Sequence, residues 1–201
     1  MKVQLSSSGC PQPRNHWPDM PKPLILIRHA ATQVNTNQPS HTWPLSQEGR
    51  TACVSLAEQL RSHAPTRIIT STETKAQQTG QIIADILGLP LSHLDGLQEH
   101  NRTQITGLDE ATFKAHVARL LIEPDQLVFG LETGTQVRHR FTQALQTAIH
   151  QYPTDTLALV THGTALTLFL TAHNSLNPLS FWHNLRLPCF FLLEPGTWQL
   201  Y

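Results

Sequence analysis

The chain has 201 residues, enough for one domain with a sizeable core and few for two independent ones. Hydrophobic residues make up 39%, and 14 Lys+Arg balance 14 Asp+Glu, so no net field draws the chain to nucleic acid or an acidic membrane and any anion site must be local. Cys10, Cys53 and Cys189 fall at no metal-site or redox-motif spacing, the 12 histidines are scattered, and no run approaches the roughly 18 apolar residues of a membrane span. The expectation is a cytoplasmic protein with no nucleic-acid or membrane partner.

Residues 1–23 are rich in Ser and Pro without periodicity and read as an irregular arm, ahead of a single domain over 24–201. Leu24-Ile25-Leu26-Ile27 is the first strand. Ser46 then closes a polar loop and can cap a helix over about 47–62, with Ala52, Leu56, Ala57 and Leu60 on one face. Arg67–Thr70 is a short buried strand. Thr70 and Glu73 have capping-box spacing ahead of a helix striped by Ala76, Thr79, Ile83, Ile86 and Leu87 and ended by Gly88 and Pro90. A weak strand around 91–97 precedes helices over 109–121 and 134–152, the second with Val137, Phe141, Leu145, Ala148 and Ile149 inward. A strand over 156–161, a helix over 163–173 and a last strand near 189–194, with a pairing partner in 197–200, complete the pattern. Strands alternating with helices predict an α/β sheet covered on both faces, with ligands at the carboxyl ends of its strands.

Two apolar strands end abruptly on chemistry, one on Arg28-His29 and the other on His162. A histidine attacking phosphorus needs a neutral attacking nitrogen, a hydrogen bond fixing the other nitrogen, and positive donors on the phosphoryl oxygens. Arg28 suits the last task, because a guanidinium grips two oxygens and keeps its charge. His162 can supply a further N–H as charge spreads during transfer, and Gly163 lets the backbone come close at the start of a helix. Taken alone, each histidine is also readable as a hydrogen-bonded structural residue. A metal site is disfavoured by the arginine beside His29 and by the lack of ligand spacing.

The run Arg28-His29-Ala30-Ala31-Thr32-Gln33-Val34-Asn35 resembles the RHG-x-T-x-x-N signature of the histidine phosphatase superfamily, which includes the phosphoglycerate mutases; Ala30 stands for the usual glycine. Residues 44–60 resemble the family's first helix, 71–90 its S-x-x-x-R-A-x-Q-T segment, Leu97-Gln98-Glu99 its L-x-E acid, and 159–166 its second histidine. The resemblance implies a phosphoglycerate mutase-like three-layer α/β/α sandwich with a mostly parallel sheet. It implies a phosphatase acting on a small-molecule phosphomonoester with no cofactor or metal. His29 would be the nucleophile, Arg28 and His162 parts of the phosphate pocket, and Glu99 the proton donor and then the base, a role that asks for a partly raised pKa. Thr32, Asn35 and Gly163 would border the pocket. Lys75 stands where the family carries arginine, so the charge survives without the fork. Residues 100–107 lack the family's frequent G-x-W-x-G pattern, Gly107 being its remnant, which leaves His100 and Arg102 as candidates for polar contacts. Trp43, His41 and Phe113 could form an apolar wall. A mutase and a weakly active phosphate-binding relative are the alternatives.

Overall fold

The computed structural model describes residues 22–201; the first 21 residues of the expected arm, Cys10 among them, lie outside the described residues. Five strands form one sheet in the order β3-β2-β4-β1-β5: β1 Leu24–Arg28, β2 Arg67–Thr70, β3 Leu91–His93, β4 Leu157–Thr161 and β5 Cys189–Leu193. The first four run parallel, and β5 pairs antiparallel with β1 as an edge. A bridge between Leu193 and Leu200 gives β5 the expected partner in the C-terminal segment.

Strand alternation divides the core into two halves. Leu24, Leu26, Leu157 and Leu159 point to one face, where α4 (Gly134–Gln151) and α5 (Gly163–His173) pack with Phe141, Leu145 and Phe169. Ile25, Ile27, Ala158 and Val160 point to the other, covered by α1 (Gln47–Leu60) and α2 (Thr74–Leu87) through Leu56, Leu60 and Ile83. The central strands are therefore apolar on both faces, as a sheet between two helical layers requires. The expected α/β/α sandwich is what the chain adopts. Helices α3 (Glu110–Ile122) and α6 (Pro178–Asn184) complete it. Among the described residues, no helix is long and apolar enough to cross a membrane.

Most helix boundaries follow their caps. The Ser46 hydroxyl accepts from the Gly49 amide, Asp109 caps α3, and Gly88 ends α2 in the left-handed conformation. The stripe of α1 is Gly49, Cys53, Leu56, Ala57 and Leu60, with Ala52 only at its edge. Thr70 and Glu73 form no capping box. Thr70 is the last residue of β2, its hydroxyl bonded to His93 Nδ1 at 2.8 Å, and Glu73 is itself the N-cap of α2 without a side-chain cap bond. A true capping box lies at Thr133 and Gln136, opening α4.

Candidate active site

The carboxyl ends of three adjacent parallel strands carry the chemistry. Arg28 is in register with Thr161, so His29 and His162 leave β1 and β4 at the same level, and the His29 amide donates to the Thr161 carbonyl at 2.9 Å. Ser71 leaves β2 beside them, its amide bonded to the Val160 carbonyl. The two imidazole rings are 5.1 Å apart between centroids, and both are buried.

His29 is fixed through its backbone neighbour. Its Nδ1 lies 2.7 Å from the Ala30 carbonyl, which only accepts, so Nδ1 carries the proton and Nε2 the lone pair. The Ala30 amide in turn donates to the Thr79 hydroxyl at 3.0 Å, and that hydroxyl donates to the Lys75 carbonyl at 2.8 Å. Helix α2 thereby sets the ring's orientation. Burial, reinforced by His162, Lys75 and Arg28, holds the imidazole well below its ordinary pKa, so the ring is neutral.

Arg28 extends along the start of α5. Its Nη1 donates to the Leu185 carbonyl at 2.6 Å, and its buried Nε has no hydrogen-bond partner. The guanidinium passes so near Gly163 that a Cβ there would lie 3.0 Å from Cζ, Nε and Nη2. His162 places Nε2 2.8 Å from the Ser71 hydroxyl, while its Nδ1 is 3.7 Å from Glu73 Oε2 and lacks a hydrogen bond. Burial, with Lys75 and Arg102, pushes His162 down to about 4 against the opposing pull of Glu73 and Glu99. An N–H of Arg28 unpartnered among the described residues, gathered with two neutral imidazoles at one end of the sheet, suits an anion.

Glu99 is held in a manner its sequence context does not reveal. Helix α5 begins after His162 with no side-chain cap of its own, and the Glu99 carboxylate fills that role: Oε2 accepts from the Thr164 amide at 3.0 Å and Oε1 from Ala165 at 2.9 Å. Oε1 also accepts from the His100 amide at 2.9 Å. Burial by itself would raise this carboxyl, yet Arg102, His162 and the backbone donors hold it well below the usual carboxylate range. The partly raised pKa asked of a proton donor is therefore not what the fold gives Glu99. Arg140, from α4, clamps the segment by donating to the carbonyls of Gly96, Gln98 and Glu99 and to the Glu132 carboxylate.

Lys75 is buried, as a pocket residue would be, but its ammonium is engaged by Glu73 Oε2 at 2.7 Å and the Ser40 carbonyl at 2.7 Å. Thr32 forms a bridge with Leu45, and the exposed Asn35 turns its side chain to the Asn37 amide. Neither makes a hydrogen bond to His29, Arg28 or His162 among the described residues. Beside the histidines lies a cleft of about 390 Å³, lined by Glu73, Glu99, His41, His100 and Arg102 among others. Arg102 stacks over Phe113 at 4.9 Å with Nη1 unpaired, His100 is bonded to the Glu132 carbonyl, and Trp43 turns to the Gln38 carbonyl. The expected wall of Trp43, His41 and Phe113 leaves only His41 lining the cleft. A larger cavity, about 460 Å³, lies between α6 and β5, and its lining includes Leu185, which holds the Arg28 guanidinium, and Cys189, in register with Arg28.

Sequence reading passed over Glu73, Thr79 and Arg140 as site residues. Glu73 looks like a cap, Thr79 like one member of an apolar stripe, and Arg140 like a solvated helix cation; their contacts cross between 8 and 49 residues of chain. No local pattern signals such pairings.

The family model of the histidine phosphatase superfamily (branch 1) matches residues 24–191. Among curated proteins, the chain is 26% identical over 153 residues to an uncharacterized phosphatase, PhoE, of Bacillus subtilis, covering 74% of this chain and 75% of that protein. It is 28% identical over 153 residues to a probable phosphoglycerate mutase, GpmB, of Cronobacter sakazakii, covering 71% and 70%. Among solved structures, Bacillus stearothermophilus YhfR superposes with a TM-score of 0.69 at 20% identity, covering 89% of this chain and 94% of that one. A mycobacterial glucosyl-3-phosphoglycerate phosphatase does so with a TM-score of 0.65 at 22% identity, covering 85% and 89%. With the family match spanning both histidine-bearing strands and the helices between them, the chain belongs to the histidine phosphatase superfamily, branch 1.

Proposed function

We propose that this chain hydrolyses a small phosphomonoester through a phosphohistidine on His29, with Glu99 handling protons and no metal ion taking part. The observation that carries the reading is the His29 ring itself: neutral, its Nδ1–H committed to the Ala30 carbonyl so that the lone pair is on Nε2, in a residue adjoining Arg28, whose Nε is unpartnered among the described residues. In the first step Nε2 forms the P–N bond as the ester P–O bond breaks, and the alkoxide leaves with a proton. In the second, water attacks phosphorus, the P–N bond breaks, and phosphate departs. Arg28, His162 and the ammonium of Lys75 offset the charge on the phosphoryl oxygens, and Gly163 leaves room for the guanidinium. Thr32 and Asn35 border the entrance on the loop after His29.

Glu99 is held ionised by its surroundings and so is ready as the base that takes a proton from water. A dianionic phosphoryl group arriving nearby raises its pKa, which lets it bring a proton for the leaving oxygen in the first step. The likeness to probable phosphoglycerate mutases favours a second reading, in which the phosphoryl group passes to a sugar acid instead of water. The ion pair that occupies Lys75 favours a third, phosphate binding with little turnover.

A chromogenic phosphomonoester supplied with chelator separates these. Hydrolysis is expected from the wild type, with a loss of about three orders of magnitude or more in His29→Ala. Labelled substrate quenched in base should leave an acid-labile phosphoryl group on the wild-type protein alone. Turnover that survives His29→Ala overturns the phosphohistidine route. Phosphoryl exchange between phosphoglycerates without net hydrolysis selects the mutase, and a folded protein inert in both assays selects the binding protein.

A further inference from the structure

The proposed reaction makes no use of Glu73, although its side chain is only 9% exposed and stands among the groups that would meet the phosphoryl oxygens. Its Oε1 accepts from the Glu99 amide at 2.8 Å. Its Oε2 lies 2.7 Å from Lys75 Nζ and 3.7 Å from His162 Nδ1. Lys75 has three N–H groups; one serves the Ser40 carbonyl and another faces Glu73. The buried ammonium of Lys75 is thus matched by a carboxylate, and together they present no net charge. A fixed anion facing a pocket for a dianion works against the dianion.

Building on the reading of this pocket as a phosphoryl site, we propose that Glu73 is a resident anion that occupies Lys75 in the empty enzyme and keeps affinity for phosphate low. An entering phosphoryl group shares Lys75 with Glu73 or displaces it, and the carboxylate recovers the ammonium when phosphate leaves. Glu73 is accordingly a positioning residue acting through Lys75. It sets product affinity in the opposite sense from Arg28.

Binding of inorganic phosphate to the full chain, measured by calorimetry in chelator at fixed pH, tests this with a series of charges. Glu73→Gln keeps an acceptor for the Glu99 amide and is expected to bind phosphate at least about tenfold more tightly. Lys75→Met, which leaves Glu73 unmatched, should bind at least about tenfold more weakly. The Glu73→Gln/Lys75→Met double variant has no buried unpaired charge and should return to wild-type affinity. A gain of affinity on removing a buried partner is not what a merely structural role produces. Unchanged or weaker binding in Glu73→Gln, or a double variant as weak as Lys75→Met, overturns the proposal. Should Glu73→Gln fail to fold, the comparison of Lys75→Met with the double variant decides. Arg28→Met distinguishes the deeper failure: if it binds phosphate as tightly as the wild type, the anion sits elsewhere, and both this inference and the site reading fall.

Discussion

Gly163 shows how one missing side chain shapes the pocket. Its backbone is helical and it opens α5, so alanine is conformationally acceptable there. The cost falls on Arg28, whose guanidinium would have to yield to a Cβ at 3.0 Å while Nη1 is tied to the Leu185 carbonyl. Gly163→Ala is therefore expected to unfold at the same or a slightly higher temperature than the wild type, while kcat/KM falls by about tenfold to a hundredfold. Parallel loss of stability and activity would show that the glycine serves packing instead. Glu99 teaches the converse lesson. Its neighbours in sequence suggest a carboxyl whose pKa burial could raise, but Arg102 and His162, joined by a backbone donor at the start of α5 from 65 residues away, drive the pKa down.

Between elements, the site depends on helices reaching across to loops. Helix α2 steadies His29 through Thr79, and α4 steadies the Glu99 segment through Arg140. Replacing Arg140 with Gln would leave three backbone carbonyls and the Glu132 carboxylate short of donors, at a cost of about 2–3 kcal/mol. The expected outcome is a lower denaturation midpoint together with a turnover loss larger than the unfolded fraction explains, because Glu99 loses its clamp. A change in stability alone would confine Arg140 to scaffolding. The helices themselves were legible: apolar spacing and caps such as Ser46 and Gly88 act within a few residues, so α1, α2, α4 and α5 stand close to where periodicity puts them. The capping box read at Thr70 and Glu73 failed because both side chains have long-range partners, His93 for one and the Glu99 amide for the other. Helix α6, short and without a buried residue, carries no stripe to read.

The molecule as a whole buries several groups in the form that acid would remove. His29, His100, His162 and His173 all have folded pKa values below the ordinary imidazole value, first because of burial. As pH falls below about 6.5, the unfolded chain takes up protons that these folded histidines refuse, so stability decreases. Below about 4.5 the carboxylates continue the trend: Glu73, held at about 2 by His162 and Lys75 against the effect of burial, and Glu99 both stay ionised when folded. The contribution of these groups is thus full above pH 6.5 and is lost in two successive stages on acidification. Urea midpoints at pH 7.5 and 5.5 check the first stage, with the lower midpoint expected at 5.5; equal midpoints would mean that the buried imidazoles titrate normally. The acidic limb of kcat/KM should likewise lie below pH 6.5, since His29 remains neutral there.

Hydrophobic periodicity, caps and the two strand-ending histidines are local properties, each decided within a window of a few residues. They suffice to predict the α/β layering, and the run from Arg28 to Asn35 with its companion segments carries the kinship with the histidine phosphatase superfamily. Which protonation states and partners those residues have is a matter of what surrounds them after folding. Burial, the N-terminus of α5 behind Glu99, and the Glu73 carboxylate against the Glu99 amide and His162 come from segments distant in the chain. Electrostatic energies depend on distance in space and on exclusion of water, and only the folded chain supplies both.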